Sequence, residues 1–144
     1  DRLGPILVQL PPTMKVDVER LDDCLRQFPR NIRVAVEPRH ETWWTDEVRQ
    51  VLEHRHAALT WSDRLGKPVA PMWRTTTWGY LRLHQGRDEF PPDYGKAVLR
   101  RWLRHVDETW PPSDDVFVYF NNDPGAAAIR NAFTMAQLAE RAST

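Results

Sequence analysis

Three residues have the chemistry of catalytic groups, and each stands at or near the end of a short apolar segment. They are Glu37, Asp63 and His84. Carboxylates and imidazoles transfer protons, and the same groups bind Zn²⁺ or Mn²⁺ when neighbouring segments bring them together. Their spacing matches no established metal motif. The residue types therefore favour acid–base or metal-assisted chemistry at one site and leave a divalent metal cofactor open.

Glu37 has two interpretations that predict opposite pKa shifts. Enclosure away from water would raise the pKa of its carboxyl group and suit that group to proton transfer. A buried ion pair with Arg39 or Arg82 would lower the pKa and indicate a structural role. We expect one of these arginines to lie within salt-bridge distance of Glu37.

A second set of residues can bind a ligand without reacting with it. Guanidinium and amide groups recognise polar ligands through directed hydrogen bonds, and an indole ring either stacks on a sugar or base or packs in the core. Backbone N–H groups after Asn122 could bind a phosphate, but capping of the next helix explains the same residues. The candidate ligand-binding residues are Gln9, Arg39, His40, Trp43, Arg82, Asn121 and Asn122.

Five short segments rich in Val, Ile, Leu and aromatic residues predict the β-strands that position these side chains. They span residues 6–10, 32–37, 58–63, 80–84 and 116–121. Apolar and polar residues alternate in several of them, so one face is aliphatic and the other polar or aromatic. We expect one face to carry Glu37, Arg82, His84, Tyr119 and Asn121.

Apolar stripes at helical spacing lie between most of the predicted strands. The second helix has Thr45 as its predicted N-cap. The last helix has a predicted packing face of Ile129, Ala132, Phe133 and Ala136. Residues 64–78 show no helical period and predict a long loop. Strands that alternate with helices indicate right-handed crossovers and a parallel sheet, and a polar inner face is typical of a barrel lumen.

Four runs of the sequence carry a resemblance to a known family. They are VAVEPRHETWW (34–44), LTWSD (59–63), YLRLHQG (80–86) and VFVYFNNDPGAAAIRNA (116–132). In order and spacing they resemble domain-of-unknown-function family 72, the YecE-like proteins, and the opening DRLGPILVQLPP resembles the fourth strand and diproline turn of that family. The family has no established activity to carry over.

The resemblance implies a fold and a domain organisation. It implies that residues 1–144 form a single domain, the carboxyl-terminal part of a parallel βα-barrel (TIM-type) with about five strands and outer helices. The first three strands of such a barrel would be missing. We therefore expect an incomplete barrel whose outer strands present unpaired edges.

Composition excludes several classes of partner. Lys plus Arg and Asp plus Glu both count 20, so no net positive charge attracts nucleic acid. No apolar run approaches the ~20 residues that cross a bilayer. A single cysteine, Cys24, excludes an internal disulfide. We expect a cytoplasmic protein whose partner is a small polar ligand, with no nucleic-acid or membrane partner.

Two functions remain open on the sequence. The first is an enzyme acting on a small polar ligand, sugar-like or phosphorylated, through the candidate residues. The second is a non-catalytic binding or interaction module in which the same charges form a structural polar lumen. Pairing of every charge away from solvent would favour the second function.

Overall fold

The computed structural model describes residues 3–86 and 92–142, which contain seven β-strands and four α-helices. The strands are β1 (Ile6–Gln9), β2 (Val34–Glu37), β3 (Ala58–Leu59), β4 (Trp61–Arg64), β5 (Lys67–Pro68), β6 (Gly79–Leu83) and β7 (Val116–Phe120). The helices are α1 (Val18–Arg26), α2 (Asp46–His54), α3 (Lys96–Thr109) and α4 (Ala127–Ala142), with 3₁₀ turns at Glu41–Trp43 and Pro124–Ala126.

The strands form two sheets, and this arrangement corrects the predicted fold. Strands β1, β2 and β3 make a parallel sheet, while the second sheet has the order β5-β4-β6-β7 and includes one antiparallel pair. The α/β class is right. The predicted single parallel βα-barrel is wrong, because the described strands form two sheets and do not close into a barrel.

The division falls inside the predicted strand 58–63. Its first part, β3, pairs with β2, and its second part, β4, pairs with β6. Thr60 lies between them, and its N–H still donates to the carbonyl of Val36 at 2.8 Å. The chain therefore leaves the first sheet at this residue. Alternation in the sequence describes the two faces of a strand and does not specify which strand is its partner.

A tight turn explains the antiparallel pair. Leu65 and Gly66 both have positive φ, 53° and 72°, and the flanking Arg64 and Lys67 are paired. Two such residues form a type I′ turn, whose twist matches that of a hairpin. The predicted loop 64–78 therefore begins with a short hairpin, which reverses the chain before it reaches β6.

The helices cover one face of the sheets. Thr45 caps α2 as predicted, because its hydroxyl accepts a hydrogen bond from the Val48 N–H. Helix α4 packs differently from the prediction, since Ile129 and Phe133 are 61% and 68% exposed, whereas Met135 is buried. Helical periodicity identifies the apolar stripes of a helix, but it does not show which stripe packs against another element.

The opposite face of the sheets holds a small core of its own. Ala35 and Ala58 from the first sheet pack with Tyr80 from the second and with Trp78, which immediately precedes β6. Strands β3 and β6 are in contact, so the two sheets lie side by side. In the part of the chain that is described, no helix has the length and apolar character needed to span a membrane.

Candidate active site

Polar side chains gather above this small core, on what we call the inner face. Strand register places Gln9 beside Glu37 and Ser62 beside Arg82. The inner-face residues at the carboxyl ends of the strands are Gln9, Glu37, Ser62, Arg82, His84 and Asn121. Parallel strands place these ends at one edge, which is why residues distant in the sequence meet there.

Arg82 is the hydrogen-bonding centre of the inner face. Its Nη1 donates to Glu37 Oε2 at 2.6 Å and to Gln9 Oε1 at 2.7 Å. Its Nε donates to Asn121 Oδ1 at 3.1 Å. Tyr119 lies in register with Arg82, on the same face. The prediction of a shared polar face is confirmed for these residues.

Arg39 binds the other oxygen of the same carboxylate. Its Nε and Nη2 donate to Glu37 Oε1 at 3.2 and 3.1 Å. Glu37 is 2% exposed, so its charge depends on these partners. The predicted salt bridge between Glu37 and an arginine is therefore confirmed, and both candidate arginines take part.

The surroundings of Glu37 decide between the two interpretations of its carboxyl group. Burial alone would raise the pKa of Glu37, but the close contact with His84 and the hydrogen bond and charge of Arg82 outweigh burial and lower the pKa to about 2. Glu37 is therefore ionised at neutral pH. A carboxylate of such low basicity is a poor proton acceptor and a good partner for cations.

His84 is the inner-face residue best suited to proton transfer. Its Nε2 lies 3.4 Å from Glu37 Oε1, without the alignment of a hydrogen bond. The side chain is 27% exposed although Nε2 itself is buried, so other atoms of the ring face solvent. This geometry places an imidazole between a fixed carboxylate and open space, as acid–base catalysis requires.

A cleft of about 690 Å³ opens beside this pair. Its lining residues are Pro12, Glu37, Pro38, Arg39, His40, Glu41, Trp44, Ser62, Asp63, Arg64, Val69, His84 and Gln85. Ser62 is a site residue that could not be singled out by its residue type. Alternation could have identified Ser62, because Trp61 packs toward the helices and its neighbour must face inward.

Asp63 reaches the cleft edge but binds groups on the opposite side of the sheet. Its carboxylate accepts hydrogen bonds from the Tyr94 hydroxyl, the His84 N–H and the Gly66 N–H, at 2.7 to 3.0 Å. Burial raises the pKa of Asp63 although these hydrogen bonds lower it, and burial together with the Asp63 charge raises the pKa of Tyr94. The structure therefore does not place Asp63 with Glu37 as a second reacting carboxylate.

Asn122 also faces away from the inner face. Its amide is 1% exposed and donates to the carbonyl of Pro92 and to Asn131 Oδ1, at 2.8 and 2.7 Å. Asn122 and Asp63 lie on this side of the sheet for one reason, which is that each follows an inner-face neighbour by one position. Asn121, one residue earlier, remains on the inner face.

Two further candidates lie near the cleft in other roles. Trp43 is 1% exposed and donates from Nε1 to the Met14 carbonyl, so it packs in the core and offers no ring face to a ligand. Trp44 lines the cleft in its place. His40 lines the cleft and caps the 3₁₀ turn through Nδ1, which accepts from the Thr42 N–H. Placement within a short turn decided which of two adjacent indoles faces outward.

Metal binding does not unite the three catalytic candidates. Within residues 3–86 and 92–142, no three His, Cys, Asp or Glu side chains are arranged to hold a metal ion. Glu37 and His84 are adjacent, but the Asp63 carboxylate is occupied by Tyr94 and by backbone N–H groups. Glu37 and His84 are thus the two candidates whose side chains lie together.

Comparison with known proteins identifies the family. The family model described as "Protein of unknown function DUF72" matches residues 1–144. The chain belongs to the DUF72 family. The resemblance inferred from its sequence runs is therefore confirmed. Membership of this family does not assign a reaction to the DUF72 chain, because the family model is described as one of unknown function.

Two solved DUF72 proteins resemble this chain. One, from Thermotoga maritima MSB8, is 23% identical with a TM-score of 0.81, over 96% of this chain and 58% of that protein. Another, from Enterococcus faecalis V583, is 20% identical with a TM-score of 0.78, over 94% and 61%. The DUF72 chain thus spans about three fifths of each relative, and these likenesses show the fold alone. A search of curated proteins gave no match.

Proposed function

We propose that this DUF72 chain acts on a small, uncharged, hydroxylated ligand by acid–base chemistry. His84 transfers the proton, and the fixed Glu37 carboxylate orients its imidazole. The observation that carries this proposal is the Glu37–His84 pair, 3.4 Å apart at the wall of an open cleft. A carboxylate behind an imidazole is a recurrent means of activating histidine.

The balance of charge supports an uncharged ligand. The Asp63 carboxylate is bound on the opposite side of the sheet, so the carboxylates that face the cleft are those of Glu37 and Glu41. The guanidinium groups of Arg39 and Arg64 line the same cleft. Two charges of each sign leave no formal excess in the lining to attract a phosphate dianion. Paired planar groups instead present donors and acceptors to hydroxyls.

The rest of the lining supports a ring-shaped ligand. Trp44 is partly buried and contributes an indole to the cleft wall. Pro12, Pro38 and Val69 add apolar surface. A sugar has an apolar face that stacks on an aromatic ring and a rim of hydroxyls that bind polar groups. The cleft combines both kinds of surface.

A second function is favoured by a different observation. Glu37 is ionised, buried and bound by two arginines, which is the pattern of a structural ion cluster. In that case the cleft would bind its ligand without reaction, as a binding or interaction module. The partial exposure of His84 and Arg39 argues for catalysis, because a purely structural cluster needs no access to solvent.

Binding and proton transfer can be tested separately. Binding is measured by calorimetry with a panel of neutral aldoses and ketoses and with their phosphate monoesters. Proton transfer is measured in D₂O, by mass spectrometry of deuterium incorporated next to the sugar carbonyl. We expect binding of a neutral sugar and deuterium incorporation by the wild type, and loss of incorporation in His84→Gln.

His105→Gln is the matched control, since His105 lies on α3 beside Glu108 and outside the cleft. This variant should incorporate deuterium as the wild type does. Binding without incorporation in the wild type would support the binding module instead. Binding of phosphate monoesters alone would overturn the assignment of an uncharged ligand.

A further inference from the structure

Four buried polar residues form a network on the helix side of the sheet, which we call the outer-face network. It consists of Asp63, Tyr94, Asn122 and Asn131. The side chains are 1–4% exposed, so their hydrogen bonds form away from water. Hydrogen bonds formed in such a place hold the main chain in position, because breaking one leaves a buried group unpaired.

At one end of this network, Asp63 binds the backbone of His84, the residue that follows β6. Asp63 Oδ1 accepts from the His84 N–H at 2.7 Å, and Oδ2 accepts from the Gly66 N–H at 3.0 Å. One carboxylate thus ties β4, the β4–β5 turn and the exit of β6 together. The direction of the His84 side chain follows from the main chain that Asp63 holds.

At the other end of the network, Tyr94 anchors the segment that precedes α3. The Tyr94 hydroxyl lies 2.7 Å from both oxygens of Asp63 and donates its single hydrogen to this carboxylate. The Tyr94 backbone N–H donates to the side-chain oxygen of Asn131 at 3.1 Å, and the Asn131 side-chain nitrogen donates to the Tyr94 carbonyl at 3.3 Å. Asn122 donates to the same amide oxygen. Strand β7, helix α4 and the segment before α3 are therefore coupled to Asp63.

We infer that Asp63 is a positioning residue, which holds the backbone at His84 so that the imidazole meets the Glu37 carboxylate. The inference rests on the role proposed for His84, and it assigns to Asp63 no contact with the ligand. The His84–Glu37 contact should therefore depend on Asp63, because Asp63 binds the His84 backbone N–H and does not contact Glu37. Displacements of about 1 Å in such pairs change reaction rates by about 100-fold.

The His84–Glu37 contact can be monitored through the pKa of Glu37, without any ligand. His84 is one of the groups that lower the pKa of Glu37, so displacement of the imidazole raises that pKa. The measurement is an NMR titration of the Glu37 ¹³Cδ signal toward low pH. We expect Asp63→Asn to raise the Glu37 midpoint, because asparagine has one acceptor oxygen in place of two, so the N–H groups of His84 and Gly66 no longer each have an acceptor.

A double variant separates positioning from general loosening. His84→Gln alone should raise the Glu37 midpoint, and Asp63→Asn in the His84→Gln background should raise it no further. Tyr94→Phe provides a milder test in case Asp63→Asn does not fold, and its smaller shift should also vanish in that background. Asp93→Asn is the matched control, since Asp93 pairs with Arg130 near the same segment and does not contact His84.

Two results would overturn the inference. One is a folded Asp63→Asn protein whose Glu37 midpoint equals that of the wild type. The other is an equal shift with and without His84, which would mean that Asp63 acts on the whole cluster. A failure of the sugar panel would remove the proposed function and leave this titration unchanged, so the two failures are distinguishable.

Discussion

The charge of Glu37 survives burial because two guanidinium groups bind it and an imidazole lies beside it. A carboxylate with 2% exposure loses most of its hydration, at a cost of several kcal/mol. The hydrogen bond and charge of Arg82 and the adjacent His84 outweigh this cost and lower the pKa of Glu37 to about 2, and Arg39 binds the second carboxylate oxygen. Glu37 thus contributes a permanent negative charge to the cleft wall.

This lowered pKa predicts a specific acid sensitivity. The pKa of Glu37 is 4.5 when unperturbed and about 2 in the fold, so its stabilisation is present above about pH 4.5 and is lost as the pH falls toward 2. The difference corresponds to on the order of 3 kcal/mol. We expect urea unfolding at pH 5, 4 and 3 to show a shallower loss of stability in Glu37→Gln than in the wild type.

Glu53→Gln is the control for this pH series. Glu53 is an exposed carboxylate paired with Arg49 within α2. Exposed pairs of this kind contribute little, so the pH dependence should match that of the wild type. Equal slopes in Glu37→Gln and the wild type would contradict the ionised, cation-bound state assigned to Glu37.

At the scale of elements, α4 shows how a helix can carry two apolar stripes. Ile129 and Phe133 form the stripe that the sequence pattern favours, yet both are more than 60% exposed. The stripe that packs contains Asn131 and Met135, with the asparagine hydrogen-bonded to Tyr94. A polar residue in the packed stripe weakens its sequence signal, although the hydrogen bonds make its burial favourable.

The two stripes predict different costs of truncation on one helix. Phe133→Ala removes a side chain that is 68% exposed and should change the unfolding free energy by less than about 1 kcal/mol. Met135→Ala removes a side chain that is 5% exposed and should cost about 2–4 kcal/mol through the cavity it leaves. Chemical denaturation measures both. A larger cost for Phe133→Ala would contradict the packing of α4 described above.

At the scale of the molecule, the guanidinium of Arg82 joins the two sheets at the carboxyl ends of their strands. Arg82 in β6 binds Gln9 and Glu37 in the first sheet and also Asn121, just after β7. Arg39, by contrast, binds the same carboxylate from two residues away and links no separate strands. Coupling of the sheets at this end therefore depends on Arg82 far more than on Arg39.

Substitution of the two arginines tests this coupling. Arg82→Gln should lower the unfolding free energy by about 2–3 kcal/mol, because it removes hydrogen bonds to a buried charge and to two amides. Arg39→Gln should cost less than about 1 kcal/mol, since Arg39 is 39% exposed and Glu37 keeps Arg82. Equal losses in urea titrations of the two variants would show that Arg82 does not hold the sheets together.

Several features of this DUF72 protein follow from local sequence rules. Period-two alternation predicts that Glu37, Arg82 and Asn121 share one face, and their hydrogen bonds confirm it. The prediction is possible because successive side chains of a strand point to opposite faces of the sheet. The N-cap at Thr45 depends on residues three positions apart, so it could also be predicted. The family was identified from runs that keep their order and spacing.

Other features depend on contacts between residues far apart in the chain. The change of sheet at Thr60 follows from pairing with β2 and β6, and the buried role of Asp63 follows from Tyr94, 31 residues later. Local patterns contain no information about such partners. The sequence by itself determined which groups share a face, and the tertiary structure decided which partner each group has, because partners control burial and charge.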